Sequence, residues 1–241
     1  MTTGGCVGVE PAAVREALEG VMPYLAPTGL AVRALAALNR PPPAWQEDPE
    51  FGGFDSAGHY AAYADEPGAL SPLEKKIAQL PTRPTWRMER VWTPDEESDA
   101  RYDAAYDKAS VSLDGSRLHP RDLDAYCAIA YAIAGLDQGD DADGVDGGTV
   151  RACGDVDTAL SWAAAGVCVL QQSLPYPFTD VLLWGEIDNR PAHRVLFAYA
   201  TLLGLKDEKA AGPWFTALVY LNPMDNIGAR FFTPGGPACD V

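Results

Sequence analysis

Apolar residues recur at helical spacing through most of this chain, and prolines punctuate the pattern. Positions 123–136, after His119-Pro120-Arg121-Asp122, form a nearly all-apolar run that predicts a buried helix. A second helix is predicted over about 157–174, with Leu160, Ala164, Val167 and Leu170 on one stripe. Two further apolar helical segments lie at 195–203 and 214–221. They are closed by Leu221-Asn222-Pro223-Met224-Asp225-Asn226-Ile227-Gly228-Ala229-Arg230. Nearer the start, Pro11 suits a first helical turn, and Val14, Leu18, Val21 and Met22 repeat behind it. Pro23 and Pro27 interrupt, and Thr28 caps a helix carrying Leu30, Val32, Leu35 and Leu38. The fold class that follows is mainly all-α: one irregular helical domain over 1–241.

The punctuation places further elements. Ser71-Pro72-Leu73-Glu74 supplies a cap, a first-turn proline and an acid at the third position, and so opens a helix that Pro81 and Pro84 stop. Thr93-Pro94-Asp95-Glu96 opens another, with Tyr102 and Tyr106 one turn apart on it. Asp114-Gly115 suits a type I′ turn, which predicts a small β-hairpin near 111–118. The segment 41–70, rich in proline, glycine and aromatics, reads as an irregular loop folded onto the body. The stretch 137–149 reads as a flexible acidic loop.

Composition narrows the function classes. The 241 residues are 47% hydrophobic and 10% aromatic, enough to bury a core. The formal charge of −16 repels phosphate backbones and anionic membrane surfaces, so neither nucleic acid nor membrane is expected as a partner. Solubility explains such a charge, and so does an acidic surface that attracts a basic partner or mimics nucleic acid. Cys6, Cys127, Cys153, Cys168 and Cys239 are scattered, which disfavours a disulfide framework or structural zinc. No basic-then-apolar leader is evident, and the apolar runs fall short of a membrane span, so a cytoplasmic protein is expected.

From about Ala192 to Asp225 the chain resembles one tetratricopeptide-type helical hairpin. Val195, Ala198, Leu202, Ala211, Phe215 and Pro223 fall near that family's apolar and terminal-proline positions. The fuller string over 189–230, from Asn189-Arg190-Pro191 to Arg230, is similar to the repeat of the suppressor of tumorigenicity 7 family. The resemblance implies a helical hairpin and partner binding. Physically, Pro223 ends the second helix, Asp225 or Asn226 caps the next turn, and Arg230 returns to Asp225 or to a helix-end carbonyl. Gly212-Pro213 departs from the repeat and predicts that this helix starts at Pro213. One repeat earlier, Pro175 and Pro177 fall inside the would-be helix, which argues against a tandem array.

Signatures for phosphate loops, dinucleotides, nucleophile-elbow hydrolases and zinc proteases are absent, and neither cofactor nor metal is expected. His59, His119 and His193 are far apart, and His193 reads as an exposed first-turn residue. The aspartates of the 137–149 loop miss a calcium-loop register. Candidate chemistry gathers instead at 184–194. Capping and an Arg–carboxylate pair explain that cluster. A polar pocket facing 41–70 would also explain it, with Glu186 or Asp188 as general base and His193 or Arg194 polarising a substrate. Candidate ligand- or partner-binding residues are Trp86, Arg87 and Trp92, with Arg stacked on Trp, and Trp184, Arg190, Asn226 and Arg230. The leading expectation is a non-catalytic module that binds a protein or peptide. The alternatives are an enzyme or small-ligand protein using the 184–194 pocket, and an acidic nucleic-acid mimic.

Overall fold

A computed structural model describes residues 44–63, 70–88, 123–136, 152, 154–175 and 178–236. The elements run β1 (Trp45–Glu47), α1 (Ser56–Ala61), α2 (Pro72–Ile77), β2 (Thr85–Met88), α3 (Leu123–Ala134), α4 (Val156–Ser173), β3 (Val181–Leu182), α5 (Arg190–Gly204) and α6 (Glu208–Leu221). Two 3-10 turns, Ile187–Asn189 and Ala229–Phe232, flank the last helix pair. The protein is mainly helical, with a small sheet. The predicted helices before residue 40 and after Thr93, the hairpin at 111–118, Trp92, His119 and the acidic loop from Asp137 to Thr149 lie outside the described residues.

The core forms where α3, α4 and α5 meet. Helix α4 is buried nearly all round, through Ala159, Trp162, Ala163, Ala164, Ala165, Val167, Cys168, Val169 and Leu170. Small side chains let its neighbours approach closely. At Gly166 an added Cβ would stand 2.5 Å from Val195 Cγ2 on α5 and 2.8 Å from Tyr126 Cβ on α3. Glycine is the residue that permits this crossing. Asp155 starts α4 by accepting from Thr158 N at 3.1 Å, and Leu174 ends it ahead of Pro175. Cys127 and Cys168 are buried and not disulfide-bonded, and burial pushes the Cys127 thiol up to about 12.

Helices α5 and α6 are packed neighbours joined by Leu205, Lys206 and Asp207, a connection short enough to make them an antiparallel pair. Val195, Ala198, Leu202, Ala211 and Phe215 are all buried. The second helix does not start at Pro213. It starts at Glu208, where the Asp207 side chain accepts from Ala210 N at 3.1 Å, and Pro213 lies inside it. The cap supplies the first turn. The proline deprives only the carbonyl of Lys209, an exposed residue, of its helical donor.

The segment 41–70 reads as irregular in sequence and no strand is predicted around Trp86, yet both supply strands. The sheet order is β1-β2-β3, antiparallel between β1 and β2 and parallel between β2 and β3, with Trp45 opposite Met88 and Trp86 opposite Leu182. Strands this short carry too few positions for a period-two pattern to register. Helix α2 has the predicted capping box: Ser71 Oγ accepts from Glu74 N at 3.2 Å and Glu74 Oε2 from Ser71 N at 2.7 Å. The end of α6 and the turn after it hold these early elements. Tyr60 donates to the Pro223 carbonyl at 2.8 Å, and Arg83 Nη1 to the Tyr220 carbonyl at 2.8 Å. Among the described residues no helix is long and apolar enough to cross a membrane.

Candidate functional site

The segment from Trp184 to Arg194 leaves β3, makes a 3-10 turn and enters α5 with Pro191 in its first turn. Asn189 fixes the turn. Its Nδ2 donates to the carbonyls of Trp86 at 2.8 Å and Leu183 at 3.2 Å, and its Oδ1 accepts from Met88 N at 3.0 Å. The residue is fully buried and ties α5 to β2; its side chain does not cap α5.

Trp184 meets two cations from arginines one helical turn apart. The guanidinium of Arg190 lies 5.3 Å from the ring centroid and that of Arg194 5.8 Å. Arg190 Nε also donates to the Trp184 carbonyl at 3.2 Å. At part-exposed sites each stack contributes about 0.5–1 kcal/mol. The predicted Arg–carboxylate pair forms, but with a distant partner: Arg194 Nη1 reaches Asp124 Oδ2 on α3 at 2.8 Å. Burial pushes the Asp124 carboxyl up, and Arg194 offsets part of that rise.

His193 is not the exposed residue its place beside Pro191 suggested. It is fully buried, with its ring set against the Leu182 carbonyl of β3 and the Trp184 ring. Its Nε2 donates to the Leu182 carbonyl at 2.8 Å, which fixes the tautomer, and its ring lies 5.9 Å from Trp184. Burial holds its pKa down to about 4. A neutral, sealed imidazole cannot reach a substrate from here.

Glu186 and Asp188 lie on the outer side of the turn. Burial pushes the Glu186 carboxyl up first, and Asp48, Glu50 and Asp188 push it further, while Arg87 opposes them. Asp48 is buried in the loop after β1, where its backbone N–H donates to the Thr85 carbonyl at 2.7 Å and its Oδ1 accepts from Glu50 N at 2.9 Å. Acids of the 184–194 segment and of the loop after β1 are thus electrostatic neighbours, an acidic ledge. Two large apolar side chains stand out beside these acids, Ile187 at 62% and Phe51 at 53% exposure.

The remaining predicted residues serve elsewhere. Trp86 turns inward, donating Nε1 to Asp180 Oδ2 at 2.8 Å and meeting Phe178 edge-on. Asn226 is exposed and accepts from Asn222 Nδ2 at 3.3 Å. Arg230 bonds Glu74 Oε1 at 3.2 Å and lies 3.4 Å from Asp225 Oδ2. Asp225, in the left-handed region at φ 46°, accepts from the amides of Ala229 at 2.7 Å and Arg230 at 3.0 Å. These bonds offset its backbone strain and close the turn, in which Gly228 takes φ 73°. Asn222 links this closure to the ledge by accepting from Trp184 N at 3.4 Å. Asp48 and Glu50 were missed because nothing in the local sequence sets a loop acid there apart from an ordinary solvated one.

No protein-family model, curated protein or solved structure matches the chain.

Proposed function

We propose that this protein is a non-catalytic binding module that takes a basic, partly apolar protein or peptide segment on the ledge formed by Asp48, Glu50, Glu186 and Asp188. The observation that carries this reading is the setting of Glu186: burial raises its pKa first, Asp48, Glu50 and Asp188 raise it further, and Arg87 is the cation set against them. A Lys or Arg side chain from a partner would relieve that repulsion, and Ile187 and Phe51 would bury apolar surface beside it. The net charge of −16 steers positively charged partners toward the protein. In this proposal α5 and α6 are the tetratricopeptide-like hairpin whose first turn sets the ledge.

The test is fluorescence anisotropy with labelled peptides that alternate Lys/Arg and apolar residues, against acidic peptides of equal length. Saturable binding that weakens at least tenfold in Glu186→Lys, and falls with added salt, is the expected result. Equal binding by the wild type and Glu186→Lys, or none to any basic peptide, overturns the proposal.

A further inference from the structure

Arg83 is 2% exposed, yet among the described residues its side chain makes a single hydrogen bond, from Nη1 to the Tyr220 carbonyl. Its Nε and Nη2 have no partner among the described residues. Those two nitrogens share one edge of the guanidinium and point their N–H bonds in parallel. That fork matches two oxygens of a carboxylate or phosphate.

Two buried hydroxyls in the adjoining elements are unpartnered as well, Ser56 Oγ on α1 and Thr85 Oγ1 on β2. Thr85 follows Arg83 by two residues, so extended backbone turns both side chains to one face. Phe54 bridges Arg83 backbone to backbone, with N–H···O distances of 2.7 and 3.2 Å, which brings the start of α1 alongside. Ser56 lies one turn from Tyr60 on the buried face of α1, and Tyr60 is an electrostatic neighbour of Arg83. Four donor atoms thus come from α1 and the β2 region, beside the end of α6.

The local charge is positive and poorly neutralised. Burial pushes the Arg83 guanidinium down to about 10, with Asp180 the main group opposing it. Asp180 is engaged elsewhere, accepting from Trp86 Nε1 at 2.8 Å and Thr179 Oγ1 at 3.4 Å.

We propose that a small oxyanion, a carboxylate or phosphate no larger than inorganic phosphate, binds the Nε/Nη2 edge of Arg83 and accepts from the Ser56 and Thr85 hydroxyls. An oxyanion uses the parallel fork and neutralises the buried cation together; water satisfies the donors but leaves the charge. The site is separate from the acidic ledge and does not depend on it.

The full chain is unfolded thermally at constant ionic strength while chloride is replaced by formate or by inorganic phosphate. A saturable Tm rise on the order of 5 °C is expected with at least one of them. It should be lost in Arg83→Lys and reduced in the Ser56→Ala/Thr85→Val double variant. If Arg83→Lys fails to fold, the double variant still decides. An identical response in wild type and double variant overturns the site, as does a flat wild-type response. A crystal structure grown from formate gives a direct reading: an oxyanion on the Arg83 edge supports the proposal, and water alone bridging Arg83 to Asp180 sinks it.

Discussion

Arg230 reaches the carboxylate of Glu74 at 3.2 Å across 156 residues of chain, and so joins the turn after α6 to the capping box of α2. The Glu74 side chain is 3% exposed and that of Arg230 39%. The buried partner makes the pair consequential, and the exposed one screens it. Arg230→Ala should therefore lose about 1–3 kcal/mol, below the range for fully buried pairs. Urea unfolding of Arg230→Ala, Glu74→Gln and the double variant would give the coupling directly. No coupling would mean that Ser71 and solvent already satisfy Glu74.

Gly166→Ala sets two effects against each other. Alanine gains about 1 kcal/mol of helix propensity. Its Cβ, however, meets Tyr126 Cβ and Val195 Cγ2 at distances that force two helices apart. Overpacking of this kind costs about 1–3 kcal/mol and wins where backbone-proximal atoms must move. A lower urea midpoint is expected; an unchanged or higher one would show that α5 yields without loss.

Asn189 satisfies two carbonyls and one amide from its buried position. Asn189→Ala removes the Met88 amide's acceptor and one donor each from the Trp86 and Leu183 carbonyls, of which Leu183 keeps its bond from Glu186 N at 3.2 Å, and should lose about 1–3 kcal/mol. Asn189→Asp should be no better at neutral pH, because a carboxylate would face the Trp86 and Leu183 carbonyls. Faster amide hydrogen exchange at Met88 would localise the damage to β2.

His193 makes stability pH-dependent in a defined direction. The unfolded chain takes up a proton near pH 6.5, while the folded protein resists until about 4. Stability is thus fully present above 6.5 and declines as pH falls through that window, by about 3 kcal/mol in all. His59, whose pKa burial also lowers, acts in the same direction, so the comparison must be with His193→Gln. Unfolding at pH 7 and at about pH 4.5 should show a smaller loss in the variant. Equal losses would remove His193 from the account.

The helices over 123–136 and 157–174 were legible because each carries three or more turns of apolar periodicity; α3 falls inside its bounds and α4 lies one residue earlier than its own. The capping box at Ser71 and the turn closed by Asp225 were legible because their partners lie within five residues. The sheet was not, since β1, β2 and β3 are short and are paired only through distant chain. His193 was misread because its neighbours look polar in sequence, while its burial comes from Leu182 and Trp184 packing over the first turn of α5. The ledge was half legible: Glu186 and Asp188 stood out, but Asp48 and Glu50 reach them only through β1.

The bonds from Tyr60 to Pro223, Arg83 to Tyr220 and Glu74 to Arg230 bear on how the protein is made. On the ribosome, α1 and α2 emerge well before α6, and helices of one or two turns do not hold alone in water. Their anchors are translated 137 to 163 residues later, so α1 and α2 settle only after α6 has left the exit tunnel. A nascent chain stalled before residue 220 should leave the Arg83 region open to protease, and release should close it.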